Sequence, residues 1–317
     1  MGARKPCLMQ SVFDQGPPPP CPVPFNMAAY VLAAAEATPD KIALSVLSLE
    51  GAEHWTYAHL TRAIRGTATG LLQTGARPGD RILMRLGNSV EFPITFLAAL
   101  SVDLIPVPTS ALLTAPEVTK IAAEITPALI VADPGVALPD PLPCPVLPSD
   151  DLASFHDLPA AAYALGDPNR PGYLIYTSGT SGTPRAVTHA HRAIWARRMM
   201  WDGWYGLTPQ DRVLHAGAFN WTYTLGTGLM DPWTLGATAL IPGPGITPAQ
   251  LPALLAQYEA TIFAAAPGVF RQMLRAPMPA LPKLRHGLSA GEKLHDTIRA
   301  EWQAATGTPV HEAFGMS

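Results

Sequence analysis

Apolar residues recur along this chain in two alternating rhythms, one of helical spacing and one of short unbroken runs. Asn26 is suited to cap a helix that continues to about Ala37, where Thr38-Pro39-Asp40 stops it. Residues 42–47 form a run typical of a buried strand. Thr56 then caps a helix over residues 57–73, in which Leu60, Ile64, Ala68 and Leu71-Leu72 share a face and Gly75 ends the last turn. Strands at 81–86, 104–107 and 128–132 alternate with helices at 89–102 and 116–125. Further along, helices at 191–201, 224–235, 248–258, 268–274 and 293–306 alternate with strands at 212–215, 238–241, 261–264, 284–289 and 309–314. Strands separated by helices need parallel crossovers. The pattern therefore predicts an α/β fold of layered open sheets with helices on both faces.

Proline punctuates this alternation twice. Residues 1–25, with Pro17 to Pro20 in a row, predict an extended surface leader, and the prolines between Pro134 and Pro148 mark a surface connection. With a boundary near residue 165, the expected units are a leader at 1–25, a first α/β subdomain at 26–165 and a second at 166–317.

Composition narrows the class. Hydrophobic residues make up 48% and charged residues 14% of 317, the balance of a well-buried globular chain. A net charge of -3 gives no basic footprint, so nucleic acid is not an expected partner. Cys7, Cys21 and Cys144 are far apart and lack metal or redox spacing, and no secretory signal or membrane-length apolar run is present. A cytoplasmic protein without a membrane span is the expectation.

Candidate chemistry gathers in three places. Thr177, Ser178, Gly179, Thr180, Ser181, Gly182, Thr183 and Arg185 follow an apolar run and include no carboxylate. Glycines let successive N–H groups turn toward one point, the hydroxyls can donate, and a guanidinium adds fixed charge, as an anion site requires. A solvated turn is the competing reading of such a loop. Ser289-Ala290-Gly291-Glu292-Lys293 stands where a strand passes into a helix, the place where open sheets bind ligands. Read as Gly287-Leu288-Ser289-Ala290-Gly291, the same stretch fits the nucleophile elbow of serine hydrolases, with Asp296 and His311 as the available partners of Ser289. Phe219 to Gly226 is aromatic-rich at a strand-to-helix junction, compatible with core packing or with a pocket wall. His189 and His191 form a weak metal pair, better read as capping or solvated groups. No Gly-Lys-Ser/Thr phosphate loop occurs.

The run from Thr177 to Gly182, with Pro184 and Arg185, resembles the phosphate-binding signature of the adenylate-forming superfamily of acyl-CoA synthetases, luciferases and peptide-synthetase adenylation domains. It departs from that signature at Ser181, Thr183, Arg185 and Ala186. Ala290-Gly291-Glu292-Lys293 is similar to the family segment that lies against adenine. Glu312-Ala313-Phe314-Gly315-Met316-Ser317 resembles its aromatic-Gly-x-Thr/Ser-Glu signature, which implies that Phe314 packs on adenine and Ser317 reaches the α-phosphate. Trp221, Thr222 and Tyr223, with Gly291, resemble the acid-pocket segment, nearest that of the acetyl-CoA synthetase branch. The resemblance implies ATP-dependent activation of a carboxylic acid to an acyl-adenylate and transfer to a thiol, with ATP, Mg2+ and coenzyme A taking part. The family's magnesium glutamate would follow Ser317, and its small C-terminal domain with the catalytic lysine has no counterpart in these residues. On that basis the chain is expected not to complete catalysis alone and to lack a metal ligand of its own. It is expected to act with a separate C-terminal half or as a homo-oligomer, or to be a nucleotide-binding remnant.

Overall fold

The computed structural model describes residues 16–177 and 185–315. Its strands are β1 (Ile42–Leu47), β2 (Ala52–Thr56), β3 (Arg81–Arg85), β4 (Ile105–Pro108), β5 (Leu129–Ala132), β6 (Val146–Pro148), β7 (Pro171–Thr177), β8 (Arg185–Ala190), β9 (Arg212–His215), β10 (Thr238–Pro242), β11 (Ile262–Ala265), β12 (His286–Ser289) and β13 (Val310–Glu312). They form a seven-stranded sheet in the order β13-β12-β11-β9-β10-β1-β2, a four-stranded sheet in the order β4-β3-β5-β6, and the β7–β8 ladder. Every pairing in the two larger sheets is parallel except β1 with β2. The predicted α/β fold of open sheets with interleaved helices is the observed one.

The helix Tyr57–Gln73 begins where the pattern places it, with the Thr56 hydroxyl accepting from the His59 N–H at 3.1 Å. Its Gly66 and Gly70 are needed for packing. A Cβ at Gly66 would stand 2.5 Å from the carbonyl oxygens of Phe155 and His156, and one at Gly70 would strike the Phe155 ring. Those glycines let the 3-10 turn Ser149–Phe155 nest on the helix.

Other elements differ from the expectation. The helix predicted at 191–201 is reduced to Ala193–Ala196 followed by a π-helical turn at Trp201–Tyr205, and β8 occupies the residues just before it. The sheet order also crosses the boundary expected near residue 165. Leu44 to Leu47 of β1 pair with Ala239 to Pro242 of β10, and the largest core cluster joins Leu44, Trp55 and Phe92 to Phe219, Leu229 and Trp233.

Asp211 ties the amino ends of the central strands together. Its buried carboxylate accepts from the Thr208 N–H at 2.7 Å, the Thr261 hydroxyl at 2.6 Å and the Arg285 guanidinium at 2.8 Å. Desolvation works to raise its pKa, but the hydrogen bonds from Thr261, Arg285 and Thr208 outweigh it and hold the carboxyl below its usual range. A depressed folded pKa contributes stability that is present above the unfolded value, about 3.9, and is lost as pH falls through the folded one. Urea unfolding should therefore show Asp211→Asn less stable than the wild type at pH 6, with the gap closing as the pH drops below about 4. A gap that stays constant down to pH 2.5 would contradict this.

No helix among the described residues is long and apolar enough to cross a membrane.

Candidate functional site

β9, β11, β12 and β13 run parallel and bring His215, Ala265, Ser289 and Glu312 to one end of the seven-stranded sheet. Loops leaving such ends splay apart and leave a crevice where ligands bind. The turn after β12 carries Gly291 at φ +100°, a conformation that side-chain-bearing residues rarely adopt. That turn brings Gly291 against Trp221, since a Cβ built at Gly291 would lie 4.0 Å from Trp221 Cζ3.

Trp221 is 53% exposed and stands beside that glycine turn. Tyr223 turns inward instead. Its O–H donates to the Leu288 carbonyl at 2.9 Å, and its ring meets the His215 ring edge-on with centroids 4.5 Å apart. Burial pushes the Tyr223 phenol well up, so it stays a donor at ordinary pH. The fold thus joins the stretch expected to hold the acid with the stretch expected to hold adenine, at the carboxyl end of β12.

The remaining predicted positions are spread around this junction. Ala290 is buried, Glu292 and Lys293 are exposed, and a Cβ at Gly268 would lie 3.8 Å from Glu292 Oε1. Glu312 has partners within the chain, accepting from the Leu294 N–H at 2.7 Å and pairing with Arg299 at 3.1 Å. The Ala313 N–H donates to Ser289 O at 2.9 Å, while Phe314 is 93% exposed and Gly315 is exposed. Thr177 and Arg185, the flanks of the expected phosphate loop, stand opposite each other on the separate β7–β8 ladder, with Arg185 exposed. Ser178, Gly179, Thr180, Ser181, Gly182 and Thr183 lie outside the described residues, as do Met316 and Ser317.

Strand parity disposes of the hydrolase alternative. Successive side chains of a strand point to opposite faces. Ser289 pairs with Glu312 and Leu288 with His311, so Ser289 and His311 belong to opposite faces of the sheet. The Ser289 side chain is fully buried and its hydroxyl has no hydrogen-bond partner, so no base activates it. The histidine pair is structural as well. His191 Nδ1 accepts the Met27 N–H at 3.0 Å, capping the helix Met27–Val31 from across the chain, and the His189 ring stacks on Tyr173. Among the described residues no group of three or more His, Cys, Asp or Glu side chains could hold a metal ion.

Behind Tyr223 lies a polar cluster that the sequence reading missed. Arg197 pairs with the fully buried Asp231 at 2.6 Å and donates to the Tyr205 hydroxyl at 2.6 Å and to Thr227 at 3.2 Å. Burial works against the Arg197 charge, but Asp231 outweighs it and holds the guanidinium protonated. The only signal in the sequence was the basic pair Arg197-Arg198. A separate concavity of about 550 Å³ runs along β13 between Trp204, Arg285, His286 and His311; of the residues predicted for the adenylate site it includes Glu312 alone, next to His311 of the hydrolase reading.

A mostly parallel open sheet with a glycine turn beside an aromatic segment at its carboxyl end is an α/β arrangement of the kind that binds ligands at that edge. The chain belongs to the AMP-binding enzyme family, whose model matches residues 31–317. It is 28% identical over 288 residues to the 3-hydroxybenzoate/4-hydroxybenzoate–CoA ligase of Thauera aromatica, covering 83% of this chain and 54% of that one. It is also 28% identical over 296 residues to the benzoate–CoA ligase of the same organism, covering 85% and 55%. Among solved structures, a benzoate CoA ligase from Burkholderia xenovorans LB400 matches with a TM-score of 0.83 at 26% identity, over 92% of this chain and 61% of that one. The chain spans about half the length of the curated relatives it matches.

Proposed function

We propose that this chain is the acid- and nucleotide-binding lobe of an ATP-dependent ligase that joins an aromatic carboxylic acid to coenzyme A. The observation that carries this reading is the junction at the end of β12, where Trp221 and Tyr223 meet Gly291 and Leu288. In this reading the acid lies along Tyr223, with Trp221 over its outer side. Its carboxylate attacks the α-phosphorus of ATP, the bond to the β-phosphate oxygen breaks, and pyrophosphate leaves an acyl-adenylate. The thiol of coenzyme A then attacks the acyl carbon and releases AMP. No protein nucleophile is required; the protein positions the reactants and neutralises charge on the phosphoryl oxygens.

The loop from Thr177 to Arg185 takes the phosphates, with Arg185 as the fixed charge at its end. Ala290 to Lys293 and Phe314 border the adenine, with Ser317 toward the α-phosphate. Magnesium, if bound with the nucleotide, would shield the phosphate oxygens; among the described residues no cluster of three or more His, Cys, Asp or Glu side chains would hold it.

Titration calorimetry with ATP and magnesium tests the assignment. Arg185→Ala should weaken ATP by about tenfold or more through loss of a charge-assisted bond. Equal affinities for the two proteins would remove the phosphate loop from the reading.

A further inference from the structure

The acid side of the site is built on the seven-stranded sheet, and the four-stranded sheet reaches it through Asn88. The chain leaves the carboxyl end of β3 in a turn that Asp133, just past β5, ties down by accepting the Gly87 N–H at 2.6 Å. From this turn Asn88 spans to the loop that follows β9. Its Nδ2–H donates to the Gly217 carbonyl at 2.7 Å, and its Oδ1 accepts the Phe219 N–H at 3.1 Å. One planar carboxamide thus takes the backbone groups on both sides of Ala218, as a neighbouring strand would.

The loop needs such a partner. At Ala216 the chain still follows β11, its N–H donating to the Ala264 carbonyl at 2.9 Å. Beyond that residue it leaves the sheet, and part-buried backbone groups left unpaired there would forfeit their hydration. The Phe219 ring is buried and packs on Phe92 of the helix Glu91–Ser101, with centroids 5.2 Å apart. Backbone and side chain of Phe219 are therefore both held by residues that follow β3. Trp221 comes two residues later, in a turn closed by its own N–H on the Ala218 carbonyl at 3.2 Å. Its carbonyl then accepts the Leu225 N–H at 2.9 Å. Where Trp221 stands is set by where this turn begins, and Asn88 grips the residues on either side of that beginning.

We infer that Asn88 is a positioning residue of the acid pocket, fixing the course of residues 217–219 and through them the place of Trp221 beside Gly291. The inference rests on the ligase reading and assigns the residue that holds its aromatic wall. Asn88 acts through the loop, with no part in the reacting bonds. Both halves of the carboxamide are needed. An ionised carboxylate of the same shape still accepts from Phe219 but has no hydrogen for Gly217, and a methyl group offers neither.

The test uses the 317-residue chain with two probes, benzoyl-sulfamoyl adenosine and its parent sulfamoyl adenosine, which lacks the acyl group. Calorimetry gives the ratio of the two affinities, the part of binding that belongs to the acid pocket. Asn88→Ala should reduce that ratio by about tenfold, the value of two lost hydrogen bonds, while the parent binds as before. Asn88→Asp should reduce it too, and because it keeps the native shape it serves where the alanine variant does not fold. Hydrogen exchange over residues 216–223 should quicken in both variants while the helix Tyr57–Gln73 stays protected. A ratio unchanged in both variants overturns this inference alone. So does an equal weakening of the two probes, which would make Asn88 a part of the scaffold without a particular bearing on the acid. A wild type that binds the benzoyl probe no tighter than the parent overturns the ligase reading and the inference together.

Discussion

Arg197→Ala is expected to lower the free energy of unfolding by about 3–5 kcal/mol, because it leaves a buried carboxylate without its counter-charge. Asp231 is fully buried, and its oxygens accept from Arg197 at 2.6 Å and from Tyr205 at 2.8 Å. Arg197 also fills the space over Gly226, where any Cβ would collide with the guanidinium, so truncation opens a void as well as a charge. Arg197→Lys should recover only part of the loss, since an ammonium lacks the planar fork that reaches Asp231, Tyr205 and Thr227 together. The double change Arg197→Met with Asp231→Leu should cost less than Arg197→Ala, because it removes both charges at once. Urea unfolding of the four proteins measures this. A single-variant loss below about 1 kcal/mol would show that water reaches Asp231 and solvates it.

Trp233→Ala is the second large effect, about 3–5 kcal/mol. Trp233 is fully buried, and its indole N–H donates to the Ala43 carbonyl of β1 at 2.8 Å. Nearby, the Tyr57 hydroxyl donates to the Ala237 carbonyl at 2.6 Å, a second tie between the same two regions. Removing the indole empties a volume that β1 and the helix Tyr57–Gln73 both border, and the loss is therefore shared by both halves of the chain. Unfolding followed by fluorescence and by circular dichroism should remain a single coincident transition at lower urea. Two separated transitions would mean that residues 26–165 and 166–317 fold as independent bodies.

Much of the fold was legible because the relevant signals are local. The helix Tyr57–Gln73 has a hydroxyl cap, an apolar stripe and Gly75 beyond its end, and each of these can be read without knowing what lies opposite. β11 likewise is a short apolar run between turns. The strands that were missed depend on partners instead. β2, Ala-Glu-His-Trp-Thr, is mostly polar and exists because β1 offers an antiparallel edge, with Ser45 bonded to His54 at 2.8 Å. β6 lies in a proline-rich connection, where its pairing with β5 overrides a composition that reads as loop. β8 pairs with β7 from Arg185 to Ala190, where a helix was expected to begin shortly after.

The site divides in the same way. Gly291 and Trp221 stood out by residue type and position. Arg197, His215 and Asp231 did not, because a lone charged or polar residue in an apolar stretch carries no mark of what it will face. Sequence spacing also could not assign Ser289 and His311 to opposite faces; that required the register of β12 against β13.

The pairing of β1 with β10 also bears on how the chain is made. Leu44 leaves the ribosome about 195 residues ahead of Ala239, its ladder partner. At about 5–20 residues per second, that is a delay of roughly 10–40 seconds, long beside the microseconds in which the helix Tyr57–Gln73 can form. During that interval the buried positions Ala43, Leu44 and Leu47 have no sheet to join, and β1 can pair only with the short polar β2. Nascent chains halted before residue 238 should therefore be held by chaperones and open to proteases in their first fifty residues, and chains released after β10 has emerged should resist both.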